Sequence, residues 1–232
     1  MNEGMDRVGR YVLAIAKGIL LWLAIFVPST TVGALATLLS GNAVLSAVLI
    51  QVLFLVLSIV ITRFVLKHGY GFLGFRGVVP ALMVKVFLTT LAIATAIAYV
   101  ELHLVSMHGS KLPVPGIKQN IALYILLALI LAPICEETLF RGVLLGYMLE
   151  KQLDLRVSII TSAALFSLVH LLPFSTAPIH QRTFVVSTAF IMSIIAGHLR
   201  RKTRSILPAV ITHSSFNLGG LIASYVRVIA EL

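Results

Sequence analysis

A single cysteine, Cys135, stands among 232 residues, so no intrachain disulfide can form, and neither a thiolate zinc site nor an iron–sulfur cluster can be assembled. Charge is equally scarce. Only 11% of residues are charged, against about 25% in a soluble domain, and 59% are hydrophobic, with a mean hydropathy of +1.05. That balance excludes a water-soluble globule and is the composition of a membrane protein. No internal repeat, low-complexity tract or domain linker interrupts the chain, and no soluble appendage is expected. The first apolar run, from Tyr11, lacks a short apolar stretch followed by a small-residue cleavage site and continues past Pro28, so it reads as a retained span and not a removed signal peptide.

The net charge of +10 comes in short blocks between apolar runs, with no aromatic-basic stripe beside them, which argues against a nucleic-acid partner. The blocks fit membrane topology instead. Apolar runs predict seven spans, 11–39, 43–66, 79–100, 120–149, 157–172, 183–199 and 206–226, within one integral membrane domain over 1–232. The fold class is all-α, a polytopic transmembrane helical bundle of seven spans, or eight if Pro28 with Ser29, Thr30 and Thr31 divides the first. The span from Val157 is short for a bilayer of about 30 Å, and that from Asn120 is long enough to tilt. Segments Gly69 to Gly77 and Gly109 to Gly116 read as interhelical loops.

Seven spans leave Arg7, Arg10, Lys17, Arg63, Lys67, Arg76, Lys151, Arg156, Arg200, Arg201, Lys202 and Arg204 on the side of the N-terminus. The other side has Lys111, Lys118, Arg182 and Arg227, with Lys85 and Arg141 inside spans. The excess places the N-terminus in the cytoplasm and, for an odd span number, the C-terminus outside. The cluster from Arg200 to Arg204 serves as a topology determinant or a contact for anionic lipid. Lys17 and Lys85 are expected to snorkel.

Ionisable residues inside apolar helices are the exception that needs a reason, since even lower estimates set the cost at about 2.5–3.5 kcal/mol for one at the helix centre. The fourth span has two adjacent carboxylates, Glu136 and Glu137, followed by Arg141. Glu137 and Arg141 are four apart on one helix face and are expected to form a structural ion pair. Glu136 lies about 100° round the helix and is expected to stay unpaired, a placement that suits a general base. Pro133 frees a backbone carbonyl upstream and opens room for water. The fifth span carries Phe166 and His170, and the last carries His213 and Asn217, each pair again four apart. At 1.5 Å per residue from the expected cytoplasmic end of each span, Glu136 and His170 lie at ~20 Å, Asn217 at ~16 Å and His213 at ~10 Å, so three helices bring them to one mid-membrane level. Taken singly, each His would be a hydrogen-bonded core residue and Phe166 a packing residue; their co-occurrence at one depth points to a site. His68, His103, His108, His180 and His198 fall at loop ends and receive no role.

The ordered set Glu136-Glu137-x-x-x-Arg141, Phe166-x-x-x-His170 and His213-x-x-x-Asn217 resembles the three motifs of the CPBP intramembrane proteases, which include the CAAX prenyl endopeptidases and bacteriocin-processing or self-immunity proteins. The resemblance spans 120–217. It implies endopeptidase hydrolysis of a membrane-associated or lipidated polypeptide, with Glu136 and His170 activating water, His213 and Asn217 stabilising the oxyanion, and Glu137 and Arg141 in support. The family has also been described as metalloproteases, and Glu136, His170 and His213 would then be the three ligands of a catalytic zinc. No His-Glu-x-x-His pattern is present, which favours the cofactor-free version. Two other classes share the buried residues: a transporter with a Glu/His proton or ion relay, against which the lack of a repeat counts, and a non-enzymatic immunity or binding protein on the same scaffold.

Overall fold

The computed structural model describes residues 2–107 and 120–230, and all regular structure among them is helical. The loop expected at Gly109 to Gly116, with His108, Lys111 and Lys118, lies outside the described residues, as do the side chains of Arg7 and Arg227. Seven rods follow in chain order. We label them α1 (Asn2–Ser40), α2 (Ala43–Val60, extended by a π turn over Ile61–Val65), α3 (Pro80–Met107), α4 (Ile121–Glu150), α5 (Leu155–Val169), α6 (Ile179–Thr203) and α7 (Leu207–Ala230). Rods α1, α2, α3, α4 and α6 are long and apolar enough to cross a membrane.

The rods start where side chains satisfy the open backbone donors of a first helical turn. Asn42 accepts from the Leu45 amide and Asn120 from that of Leu123, both at 3.0 Å, while Asp154 accepts from Arg156 and Val157. Gly41, at φ +65°, reverses the chain between α1 and α2, a backbone that side chains resist. Pro28 does not divide the first span. The hydroxyls of Ser29, Thr30 and Thr31 fold back onto the carbonyls of Ile25, Phe26 and Val27 at 2.7–2.9 Å, and α1 runs through as one helix, giving no eighth pass there. The fifth span is shorter than the 157–172 expected: α5 stops at Val169 and His170 is its C-cap.

Rod α4 is the centre of the bundle. Leu139, Phe140, Val143, Leu144, Leu145 and Met148 in its second half are all inaccessible, whereas Leu20, Val84 and Leu88 on outer rods are more than half exposed. An apolar exterior around a packed apolar interior is the arrangement that lipid permits and water does not. Two π turns, Leu127–Leu131 and Thr138–Leu144, interrupt α4 on either side of the short α-helical piece Ala132–Glu137.

Rods α3 and α7 approach until their backbones nearly touch. A Cβ built on Gly219 would lie 2.7 Å from the Ala94 Cβ and 2.8 Å from the Thr95 backbone nitrogen, whereas one on Gly220 meets nothing within 4 Å. Gly219→Ala is therefore expected to destabilise the bundle by about 1–3 kcal/mol through overpacking. Gly220→Ala should leave it unchanged or slightly more stable. Thermal melts of the two variants in detergent make the comparison.

Candidate functional site

Pro133 lacks the N–H that would serve the carbonyl of Leu129 in an α-helix, or of Ala128 in the wider π turn. Both carbonyls are taken by α7. The Ser214 hydroxyl donates to Leu129 at 2.8 Å, and the Asn217 amide donates to Ala128 at 2.7 Å. The carbonyl that the sequence predicted to be free thus accepts from a side chain of α7, which pins α7 against α4 at the level of the carboxylates.

Glu137 and Arg141 form the expected pair, Nη1 donating to Oε1 at 3.0 Å with both side chains inaccessible. The pair is part of a larger network. Arg141 Nη2 also donates to the Ser193 carbonyl at 3.1 Å and to the Ser193 hydroxyl, so α6 is held as well. His213 Nδ1 lies 3.1 Å from the same Glu137 oxygen. A carboxylate oxygen paired with a guanidinium is an acceptor, so His213 carries its proton on Nδ1.

Glu136 departs from the expectation of an unpaired acid. Gln51 of α2 donates to its Oε1 at 2.7 Å. The other oxygen, Oε2, has His213 Nε2 at 3.9 Å, beyond hydrogen-bond reach, and the side chain keeps 17% of its exposure. One oxygen is anchored by a neutral amide, and the other has the His213 ring as its neighbour. The reason for the miss is that helix geometry within α4 says nothing of what α2 presents.

His170, at the end of α5, places Nδ1 2.7 Å from the Phe166 carbonyl. A carbonyl can only accept, so the proton sits on Nδ1 and Nε2 is the ring's basic nitrogen. Phe166 is inaccessible and packs among the charged groups: the His170 ring centroid is 4.7 Å away, that of His213 5.4 Å and edge-on, and the Arg141 guanidinium carbon 4.8 Å from the ring centroid. It spaces the two imidazoles and offers its face to the cation.

A cavity of about 330 Å³ opens beside this cluster, lined by His170, His213, Asn217 and Phe166, together with Glu101 of α3 and Tyr124 of α4. Its size falls in the range of small-ligand sites. Glu101, Gln51, Ser193 and Ser214 escaped the reading of the sequence. Gln51 was detectable, as an amide in the middle of an apolar run; Glu101 lies one residue past the predicted end of its span.

The zinc alternative calls for three ligands on one ion. Among the described residues no three His, Cys, Asp or Glu side chains converge as a metal-ion site. The bonds from Nδ1 of His170 to the Phe166 carbonyl and from Nδ1 of His213 to Glu137 leave both Nε2 atoms uncommitted, and Gln51 engages only one oxygen of Glu136.

Residues 118–219, which contain every motif position, match the family model described as type II CAAX prenyl endopeptidase Rce1-like. Neither a curated protein nor a solved structure matches the chain.

The two glutamates should separate in their effects. Glu137→Ala leaves the Arg141 guanidinium buried without its counter-charge and is expected to cost about 3–5 kcal/mol of stability. Glu136→Gln, which keeps a partner for Gln51 at a partly exposed position, should melt close to the parent protein.

Proposed function

From the membership of residues 118–219 in the CAAX-protease, or CPBP, family of membrane proteases, we propose that this integral membrane protein is an endopeptidase that hydrolyses a peptide bond of a membrane-associated or lipidated polypeptide within the bilayer. The observation that carries the reading is the state of His170. Its Nδ1–H is committed to the Phe166 carbonyl, and its ring lines the same cavity as His213 and Asn217.

In this mechanism Glu136 and His170 hold the attacking water. Oε2 of Glu136, beside the His213 ring while Gln51 anchors Oε1, takes the proton as the water oxygen bonds to the peptide carbon. The carbonyl oxygen becomes the oxyanion and is met by Asn217, which gives one amide hydrogen to Ala128 and retains the other. His213 serves the oxyanion through Nε2–H when its ring is doubly protonated, since its Nδ1–H is already directed at Glu137. Collapse of the intermediate breaks the C–N bond, and the proton on Glu136 passes to the leaving amine. Glu137 and Arg141 position His213 and do not touch the substrate. The scheme has no step through a metal.

For topology, we propose seven passes with the N-terminus in the cytoplasm, α5 being the short one and α7 the seventh. The excess of Lys and Arg at the ends joined by Leu66 to Val79, Lys151 to Asp154 and Arg204 to Ile206 supports this orientation.

Glu136→Ala is expected to lower cleavage about 10²–10⁴-fold while the protein still reaches the membrane. Comparison of peptides released from membranes holding parent and variant reads the effect and identifies the substrate. Undiminished cleavage by the variant would sink the mechanism. Asn217→Ala should cost about 10²–10³-fold in kcat. Activity is expected to survive chelation; a loss restored by zinc would replace this scheme with the metal version.

A further inference from the structure

A second cavity, of about 580 Å³, lies at the opposite end of α4 from the hydrolytic one. Four guanidinium-bearing residues line it, Arg76 from the segment between α2 and α3 and Arg200, Arg201 and Arg204 from the end of α6. Arg200 is its fixed floor. It is 8% exposed, and it donates from Nε to the Arg141 carbonyl at 3.3 Å and from Nη2 to the Phe72 carbonyl at 3.1 Å. Gly74, at φ +85°, lies flat against it; a Cβ there would stand 2.7 Å from the guanidinium carbon, so the backbone leaves room for this side chain alone.

The charge around this cavity is unbalanced. Among the described residues Glu150 is the one carboxylate lining it, and its two oxygens already meet Lys151 Nζ at 3.2 Å and His68 Nε2 at 3.0 Å. No ion pair joins Arg76, Arg201 or Arg204 to a carboxylate among the described residues. Four like charges brought together without counter-charge repel one another until an anion enters. A tetrahedral phosphate, with several acceptor oxygens, is the anion that arginine forks fit best.

The surroundings point to a phosphate carried by lipid. Phe64, Tyr70 and Phe75 are exposed by 73%, 61% and 44% on the neighbouring segment, an aromatic rim of the kind found at headgroup level. We propose that this cavity binds the phosphate of an anionic phospholipid headgroup, with Arg200 as fixed anchor and Arg76, Arg201 and Arg204 closing over it. The site is separate from the hydrolytic cavity and does not depend on the activity assigned to it.

The test uses the full-length protein in nanodiscs and detergent. Native mass spectrometry should show phosphatidylglycerol retained at least tenfold more strongly than phosphatidylcholine. The double variant Arg201→Gln, Arg204→Gln should weaken phosphatidylglycerol about 30-fold and leave phosphatidylcholine unaffected. Restoration by Arg201→Lys, Arg204→Lys would support a charge effect. Should the double variant not fold, Arg76→Gln alone should weaken retention about fivefold. Competition with inorganic phosphate separates the two sources: failure to displace supports the lipid, whereas full displacement at constant ionic strength keeps the phosphate site and overturns the lipid as its occupant. Equal retention of the two lipids, or retention unchanged in the folded Gln variants, would overturn the site itself.

Discussion

One buried carboxylate oxygen, Glu137 Oε1, accepts from Arg141 and His213 at once, and the positions of three rods follow from it. Arg141 reaches on to Ser193, which ties α6 to α4; His213 belongs to α7. A charge in an apolar interior must be matched by an opposite one or by hydrogen bonds, and breaking the match is costly in proportion to burial. With both partners inaccessible, the network tolerates little drift of α6 or α7 relative to α4. The cluster that a soluble protein could leave at a wet surface becomes here a geometric constraint on the whole bundle.

Pro133 supplies the second constraint by leaving carbonyls without donors where Ser214 and Asn217 can serve them. The π turn after it opens further carbonyls: Ser162 donates to Phe140 at 3.2 Å, and Arg200 reaches the Arg141 carbonyl. Backbone polarity exposed within a membrane has to be satisfied by protein. The consequence is that α5, α6 and α7 each dock on α4 through a named carbonyl or side chain, and the irregular helix is the organising one. A straight α4 would consume its own carbonyls and leave these hydroxyl, amide and guanidinium groups to find partners elsewhere.

What was legible in the sequence is what depends on one helix at a time. Periodicity of four placed Glu137 beside Arg141, and hydropathy located the rods, with ends that differ by up to about two and a half helical turns, as at the start of α1 and the end of α3. The unbroken α1 was obscured because Pro28 signals a break, whereas a proline removes only one backbone bond, to the Ala24 carbonyl, and a long apolar helix can continue past it. Contacts between rods were the hidden part. Gln51 and Glu136 are 85 residues apart, and no spacing rule links them. The basic residues counted as topology signals also proved to have tertiary work, since Arg200 supports two backbone carbonyls before it meets any lipid.

The two cavities divide the molecule according to what water does. At one end the lining is mostly apolar, with His170, His213, Asn217, Glu101, Tyr124 and Thr188 as its polar points, so a water admitted there is held by few groups and its proton affinity is set by them. At the other end four arginines crowd an interface rich in exposed aromatics, where charge is hydrated or met by phosphate. Rod α4 joins the two: the Arg141 backbone is held by Arg200 while the Arg141 side chain holds Glu137, and Glu137 holds His213. A single residue therefore shares its two ends between the basic cavity and the one lined by His170 and His213. Any displacement of Arg200 has to be absorbed by the π turn over Thr138–Leu144 if it is not to reach His213, and a π turn, with its widened backbone, is the part of a helix best able to absorb it.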